Sequence, residues 1–92
     1  MIKSFKHKGL GNFFYSGTKK GIRPEHAGKL ERILDRLNAA NDLNDMNYPG
    51  SNLHPLGGDR KGQHAVNVSG NWRVIFEFVD SDAYVIDYDD YH

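Results

Sequence analysis

Alternating hydrophobic and polar positions predict a β-sheet in the second half of the chain. Three segments are rich in aromatic and β-branched side chains, the composition typical of strands. They are residues 63–68, 71–79 and 83–88. The turns at Ser69-Gly70 and Ser81-Asp82 are short, so neighbouring strands should run antiparallel. Residues 2–5 also alternate and predict a short N-terminal strand.

Apolar residues at helical spacing predict two helices in the first half. A short helix over residues 8–15 is indicated by three apolar side chains on one side, although two glycines interrupt it. A second helix should begin at Pro24, a residue suited to the first helical position, and run to about Ala40. Its apolar positions follow the i, i+3, i+4, i+7 pattern of an amphipathic helix. They are Ala27, Leu30, Ile33, Leu34 and Leu37.

These elements predict an α+β fold in a single domain of residues 1–92. Two N-terminal helices should pack on a small, mainly antiparallel sheet, formed by the short N-terminal strand and the three C-terminal strands. Residues 42–46 favour one more helical turn. Residues 48–62 contain two prolines and four glycines and predict a loop, a common location for functional side chains.

Arg73 lies in the middle of the predicted central strand. Because side chains alternate along a strand, Trp72, Val74, Phe76 and Phe78 should face the helices while Arg73 projects from the opposite face. An arginine between apolar neighbours needs an anionic partner. That partner is either a carboxylate from the acidic final strand or a bound phosphate, and the sequence leaves both open.

The composition restricts the class of protein. The 92 residues are 38% hydrophobic and include no cysteine, which excludes disulfides and thiolate metal sites and fits a reducing compartment. No apolar run approaches the roughly 20 residues that cross a bilayer, and the N-terminus is a poor signal peptide. We therefore expect a soluble, cytoplasmic protein.

The charge distribution is uneven although the net charge is zero. Residues 1–36 contain nine Lys/Arg and three Asp/Glu, whereas residues 76–92 contain six Asp/Glu and no Lys or Arg. A basic first third fits binding to a phosphate backbone, beside a site that bears carboxylates. The alternative is that the two blocks neutralise each other across the fold.

Four segments of the chain carry a specific combination of motifs. They are IKSFKHKGL near the start, NLHPLGGDRKGQHAVNV, the run NWRVIFEF, and DYDDYH at the end. In this order they resemble the HigB toxins of bacterial toxin–antitoxin pairs, within the wider RelE-like fold. The similarity covers essentially the whole chain, and the joint presence of HPLxGDRxG, NWR and DYH is specific.

The resemblance implies a RelE-like α+β domain that arrests growth by cutting messenger RNA during translation on the ribosome, without a metal or other cofactor. It also implies a helix-turn-helix antitoxin, HigA-like, that binds the toxin and contacts operator DNA. The matching active-site positions are His54, Asn71, Arg73, Asp90, Tyr91 and His92. The family often has a lysine where this chain has Gly57, so Arg60 and Lys61 are the nearby cations that would have to compensate.

RNA cleavage needs no external nucleophile because the 2′-hydroxyl can attack the adjacent phosphate. The enzyme must remove the 2′-OH proton, stabilise charge on the phosphoryl oxygens and protonate the leaving oxygen. Arg73 suits the phosphate because its planar fork matches paired oxygens. We expect His92, an imidazole with an ordinary pKa near neutrality, to protonate the leaving group. Arg73 and His92 must then meet in one accessible hollow.

The remaining candidates have open alternatives. Asp90 accepts the 2′-OH proton or orients an imidazole, and His54 is a second acid or base or a residue that caps its loop. Tyr91 stacks on an unpaired base or fills the core. Asn71 positions the nucleotide or closes the turn. The histidines and Asp90 lack the spacing typical of a zinc site, so we expect no metal.

Several basic side chains of the first third are candidate RNA contacts. They are Lys3, Lys6, Lys8, Lys19, Lys20 and Arg23, and a solvated basic face is their alternative. Two functions therefore compete: a ribosome-dependent endoribonuclease, and a weakly catalytic or non-catalytic module that blocks the ribosome or serves as a co-repressor with its antitoxin. A third and weaker alternative is a free-standing metal-dependent nuclease, which would require chelator-sensitive cleavage of naked RNA. The substitution at Gly57 keeps the second open. New 5′-hydroxyl ends inside reading frames would separate them.

Overall fold

Two α-helices precede a four-stranded antiparallel sheet along the chain. The computed structural model describes residues 1–91. The helices are α1 (Lys8–Ser16) and α2 (Ala27–Ala39), and the strands are β1 (His54–Pro55), β2 (His64–Ser69), β3 (Trp72–Val79) and β4 (Asp82–Asp90) in the spatial order β1-β2-β3-β4. Short 3-10 turns cover Pro24–His26, Leu43–Met46 and Gly58–Arg60. The predicted α+β class, both helices and the three long strands are confirmed.

The fourth strand differs from the prediction. The N-terminal segment makes only isolated parallel bridges to β4, from Ile2 to Ala83 and from Phe5 to Ile86. Between them the hydroxyl of Ser4 accepts the N–H of Val85 at 2.8 Å, so a side chain replaces the ladder bond that a strand would make. The fourth member of the sheet is β1, two residues within the predicted loop.

Local signals define the ends of the helices. At the start of α1 the Nδ1 atom of His7 accepts the N–H of Leu10 at 2.9 Å, and at its end Gly17 adopts a left-handed conformation with φ of 78°, the usual role of glycine there. The entry to α2 is the 3-10 turn that begins at Pro24. Within residues 1–91 no helix combines the length and apolar character that a membrane crossing requires.

The core lies between the helices and one face of the sheet. Leu30 and Leu37 of α2 are fully buried, as are Val74 and Phe76 of β3, so the face predicted for β3 is confirmed. Ile75 points to the opposite face and is also fully buried, outside the cluster that packs on the helices. The second face of the sheet is therefore covered near its centre.

Candidate active site

Charged side chains occupy the sheet face that points away from the helices. Arg73 of β3 pairs in register with Asn67 of β2 and Asp89 of β4. Its Nε donates a hydrogen bond to Oδ1 of Asp89 at 2.9 Å, and its side chain is only 14% exposed. Of the two partners that the sequence left open for Arg73, the structure thus contains the carboxylate.

Two further cations join this ion pair. Nη2 of Arg60 lies 3.2 Å from Oδ2 of Asp87 and 3.5 Å from Oδ2 of Asp89, and Nζ of Lys6 lies 4.0 Å from Asp87. We call these five residues (Lys6, Arg60, Arg73, Asp87 and Asp89) the sheet-face cluster. Three cations against two carboxylates leave it a net charge of +1, which favours an anionic ligand. Arg60, predicted to contact RNA, is held here by carboxylates of the chain itself.

Tyr91 covers the guanidinium of Arg73. The Cζ atom of Arg73 lies 4.5 Å from the centroid of the Tyr91 ring, and the Tyr91 N–H donates to the carbonyl of Asn71 at 2.8 Å. Tyr91 is 59% exposed, which excludes the alternative that it fills the core. An exposed ring on an arginine can stack with an unpaired base while the arginine binds phosphate.

His54 points to the same face, on the far side of the sheet. The register runs from His54 to Ala65, then Ile75, then Asp87, and side chains at paired positions share a face. Nδ1 of His54 lies 2.7 Å from the carbonyl oxygen of Asn52. A carbonyl only accepts, so Nδ1 carries the proton and Nε2 of the neutral ring is an acceptor. His54 is therefore prepared to take a proton.

Asp90 leaves β4 on the opposite face. It pairs in register with Trp72, whereas its neighbour Asp89 pairs with Arg73, so Asp90 points to the helix side of the sheet. Arg23 lies close by: a hydrogen bond to Glu25 and, as a smaller effect, the charge of Asp90 raise the pKa of Arg23. The structure does not bring Asp90 together with Arg73 on one face. His92 lies outside the described residues, and its meeting with Arg73 stays a prediction.

A buried hydrogen bond lies beneath the helix-side surface near Asp90. Nδ1 of His26 lies 2.6 Å from the hydroxyl of Tyr88, and both residues are buried. Burial raises the pKa of Tyr88. The ring of Trp72 packs on Tyr88 at 4.7 Å between centroids. This stack fixes the end of β4 that carries Asp90.

The predicted RNA-contacting cations fall in separate places. Lys6 and Lys8 line one groove with Lys3, and Lys6 also belongs to the sheet-face cluster. Lys19 lines another groove beside Glu31 and Asp35, and Arg23 pairs with Glu25 at 2.7 Å. Lys20 and Lys61 are exposed. Among the described residues, Lys6 is therefore linked to the cluster that contains Arg73, and Lys3 and Lys8 share its groove.

Sequence reasoning missed Asp87 and Asp89 as individual site residues. Both were counted only within the acidic block. Their positions, two residues apart in a strand, do predict that both side chains lie on one face of β4. The spacing does not predict the register between β4 and β3, which places that face beside Arg73.

Comparisons with known proteins agree with the motifs. The family described as RelE-like toxin of type II toxin-antitoxin system HigB matches residues 3–92. The chain is 40% identical to endoribonuclease HigB of Proteus vulgaris over 92 residues, which cover 100% of both proteins. It is 32% identical to toxin HigB-1 of Vibrio cholerae serotype O1 over 85 residues, 90% of each. The chain belongs to the HigB-like family of RelE-like toxins from type II toxin–antitoxin systems.

Proposed function

We propose that this protein is an endoribonuclease toxin that cleaves messenger RNA during translation on the ribosome. The family and the name of the Proteus vulgaris relative, an endoribonuclease, support the activity. The observation that carries the proposal is the arrangement of Arg73, which Asp89 holds through Nε while the exposed ring of Tyr91 covers its face. Its two Nη groups make no hydrogen bond to any other residue within 1–91, and in this proposal they bind the phosphate.

The chemistry follows from which face each group occupies. Arg73 stabilises the charge that develops on the phosphoryl oxygens. His54, on the same face and with Nε2 as an acceptor, takes the 2′-OH proton. His92 protonates the 5′-leaving oxygen, and Asp90 orients an imidazole from the helix side. The products are a 2′,3′-cyclic phosphate and a 5′-hydroxyl, and because the nucleophile belongs to the RNA, the reaction needs no metal.

The remaining contacts hold the nucleotide and its backbone. Tyr91 stacks on the base, and Asn71 positions the nucleotide from the turn before β3. Lys61 is exposed in the loop beside Arg60 and meets the phosphate backbone. Lys19, Lys20 and Arg23 contact RNA of the ribosome in this proposal.

Membership of a toxin–antitoxin family implies an antitoxin partner. We assign that role to a HigA-like helix-turn-helix protein that neutralises the toxin, with operator DNA contacted only through the antitoxin. The ribosome and its bound messenger RNA are the other partners, which places the action in the cytoplasm. The antitoxin controls growth arrest by holding the toxin inactive.

Sequencing of RNA ends after a brief pulse of expression tests the proposal. We expect new 5′-hydroxyl ends inside reading frames. In the Arg73→Ala variant the number of new ends should fall by about 10²- to 10³-fold, the usual cost of removing one group that stabilises transition-state charge. In His92→Ala the number of new ends should fall as well. Lys29→Ala, an exposed lysine in a different groove, is the matched control.

The same experiment distinguishes the endoribonuclease from the competing function. A non-catalytic module that blocks the ribosome would arrest growth without creating new ends. Full cleavage by Arg73→Ala at equal protein levels would contradict the proposed site. Cleavage of naked RNA that a chelator abolishes would instead indicate a metal-dependent nuclease.

A further inference from the structure

A second groove lies beside the sheet-face cluster, between the N-terminal segment and α1. It has a volume of about 360 Å³. Among the residues that the structure describes, its charged lining consists of lysines alone: Lys3, Lys6 and Lys8. Phe5, Asn12 and Tyr15 provide the aromatic and polar part of the lining. A concave surface with three cations and no carboxylate attracts a polyanion.

The position of Lys8 adds an independent argument. Lys8 is the first residue of α1, and the first turn of this helix contains no acidic residue. The N-terminus of a helix carries partial positive charge, so a cation there is unfavourable for the helix itself. The lysine at this position opposes helix stability and adds to the positive potential of the groove.

Tyr15 provides a surface on which a base can stack. Its side chain is 69% exposed. Its ring nevertheless has fixed neighbours, since its centroid lies 5.7 Å from that of Phe5 and 5.1 Å from that of Phe14, both edge to face. A supported, exposed aromatic ring in a groove lined by lysines is typical of sites for single-stranded nucleic acid, in which bases stack while cations follow the backbone.

The groove is continuous with the sheet-face cluster. Lys6 lines the groove and its Nζ lies 4.0 Å from Asp87. Asp87 in turn binds Arg60, and Arg60 shares Asp89 with Arg73. The groove therefore borders the cluster that contains Arg73.

We infer that this groove binds the single-stranded segment of the RNA substrate that flanks the cleaved phosphate, with Tyr15 stacking on one of its bases. The inference rests on the proposed function and adds a second subsite to it. A single strand fits better than a duplex because Tyr15 can stack only on an unpaired base. The lysines bind whichever backbone phosphates lie beside that base.

The test uses a probe that the protein cannot cleave, so that binding is measured apart from activity. Affinity of the full chain is measured for a fluorescent single-stranded 2′-O-methyl RNA of about eight nucleotides, a length within the usual site size of single-strand binding surfaces. Tyr15→Leu keeps an apolar contact with Phe5 but removes the stacking face. It should weaken binding by about 5- to 150-fold, the range for loss of one base–aromatic stack. Tyr15→Phe keeps the ring and should bind the RNA as tightly as the unmodified chain.

Lys3→Ala gives a second and independent readout. It should lower the slope of log affinity against log salt concentration by about 0.7, the contribution of one phosphate contact on a single strand. Lys29→Ala, in the separate groove of α2, should change neither quantity. Thermal denaturation of each variant confirms that the fold is intact.

Three results would overturn the inference while leaving the proposed cleavage untouched. The first is equal affinity of Tyr15→Leu and the unmodified chain for the single strand. The second is binding of duplex RNA as tight as that of the single strand, which would assign the groove to structured ribosomal RNA. The third is loss of antitoxin binding in Tyr15→Leu without loss of RNA binding. An absence of new RNA ends in cells would instead contradict the proposed function.

Discussion

Replacing Asp89 with asparagine separates two roles that its carboxylate can have toward Arg73. Asp89 either orients the guanidinium for the phosphate or competes with the phosphate for it. The Asp89→Asn side chain has the same shape and retains an oxygen that accepts from Nε at the present 2.9 Å. It removes only the negative charge, so the outcome reports on charge and orientation rather than on packing.

The size of the effect follows from the charge that is removed. The guanidinium of Arg73 stays charged in Asp89→Asn, so the hydrogen bond remains and only the attraction between the two charges is lost, which is about 1 kcal/mol for a pair near the surface. Asp89 is 31% exposed, and solvent screening keeps the loss near this value rather than at the larger Coulomb energy of the bare pair. Each 1.36 kcal/mol is a factor of ten in rate. We therefore expect cleavage at saturation to fall by about fivefold.

Binding should change in the opposite direction. Loss of one carboxylate raises the charge of the sheet-face cluster from +1 to +2, since three cations then face one carboxylate. One additional unit charge about 6 Å from a phosphate in water is worth roughly 0.7 kcal/mol, which predicts about threefold tighter binding of RNA at low salt. A tighter but slower enzyme is the signature of a residue that positions Arg73.

The assay is single-turnover cleavage of messenger RNA on programmed ribosomes, with toxin in excess and its concentration varied. Asp59→Asn is the control, because Asp59 is exposed in the neighbouring loop and makes no ion pair within residues 1–91. A saturated rate for Asp89→Asn equal to or above that of the unmodified chain would refute the reasoning. It would show that Asp89 is a counter-ion that the substrate displaces.

Three further substitutions test other parts of the structure. Gly57→Lys should increase cleavage, because a Cβ atom at Gly57 would meet no atom within 4 Å and the lysine restores the cation common in the family. Gly58→Lys, at a φ of +59°, is the strained control, and an unchanged rate of Gly57→Lys would contradict a role for that lysine. Tyr88→Phe leaves Nδ1 of buried His26 without its partner and should cost about 1–3 kcal/mol in urea denaturation; no loss would show that the hydrogen bond contributes nothing net. Burial and, to a smaller extent, the charge of His54 lower the pKa of His64, so the unfolded chain binds more protons and the free energy of unfolding should decrease as pH falls below about 6.5. His64→Phe should flatten that dependence, and an unchanged slope would assign it to other groups.

The parts of the fold that depend on local periodicity were predictable from the sequence. The spacing of Leu30, Leu34 and Leu37 predicted the buried side of α2, and alternation predicted which face of β3 packs on it; all three leucines are at most 1% exposed. The end of β4 was less predictable. It continues to Asp90 because Asp89 and Asp90 pair with β3, although aspartate is unfavourable in strands.

The register of the sheet could not be predicted from alternation. β3 and β4 change register between Ile75 and Glu77, and an irregularity of this kind moves one strand against the other by a residue. The need of Arg73 for an anionic partner was evident from its apolar neighbours, but the identity of that partner depends on the register. For the same reason β1 could not be predicted, because its two residues pair with β2 from within a loop rich in glycine and proline.

The register also limits how neighbouring residues of β4 can share the proposed chemistry. Asp89 and Asp90 are adjacent, so a strand must direct them to opposite faces, and Asp89 already occupies the face of Arg73. Asp90 therefore cannot act on the phosphate from the same side of the sheet as Arg73. In the proposed mechanism Asp90 instead orients an imidazole, and the hydrogen bond from the Tyr91 N–H to the Asn71 carbonyl keeps the end of β4 paired with β3. Under the proposed mechanism, charge stabilisation therefore belongs to the sheet face and orientation to the helix side, which leaves His54 as the candidate for the base.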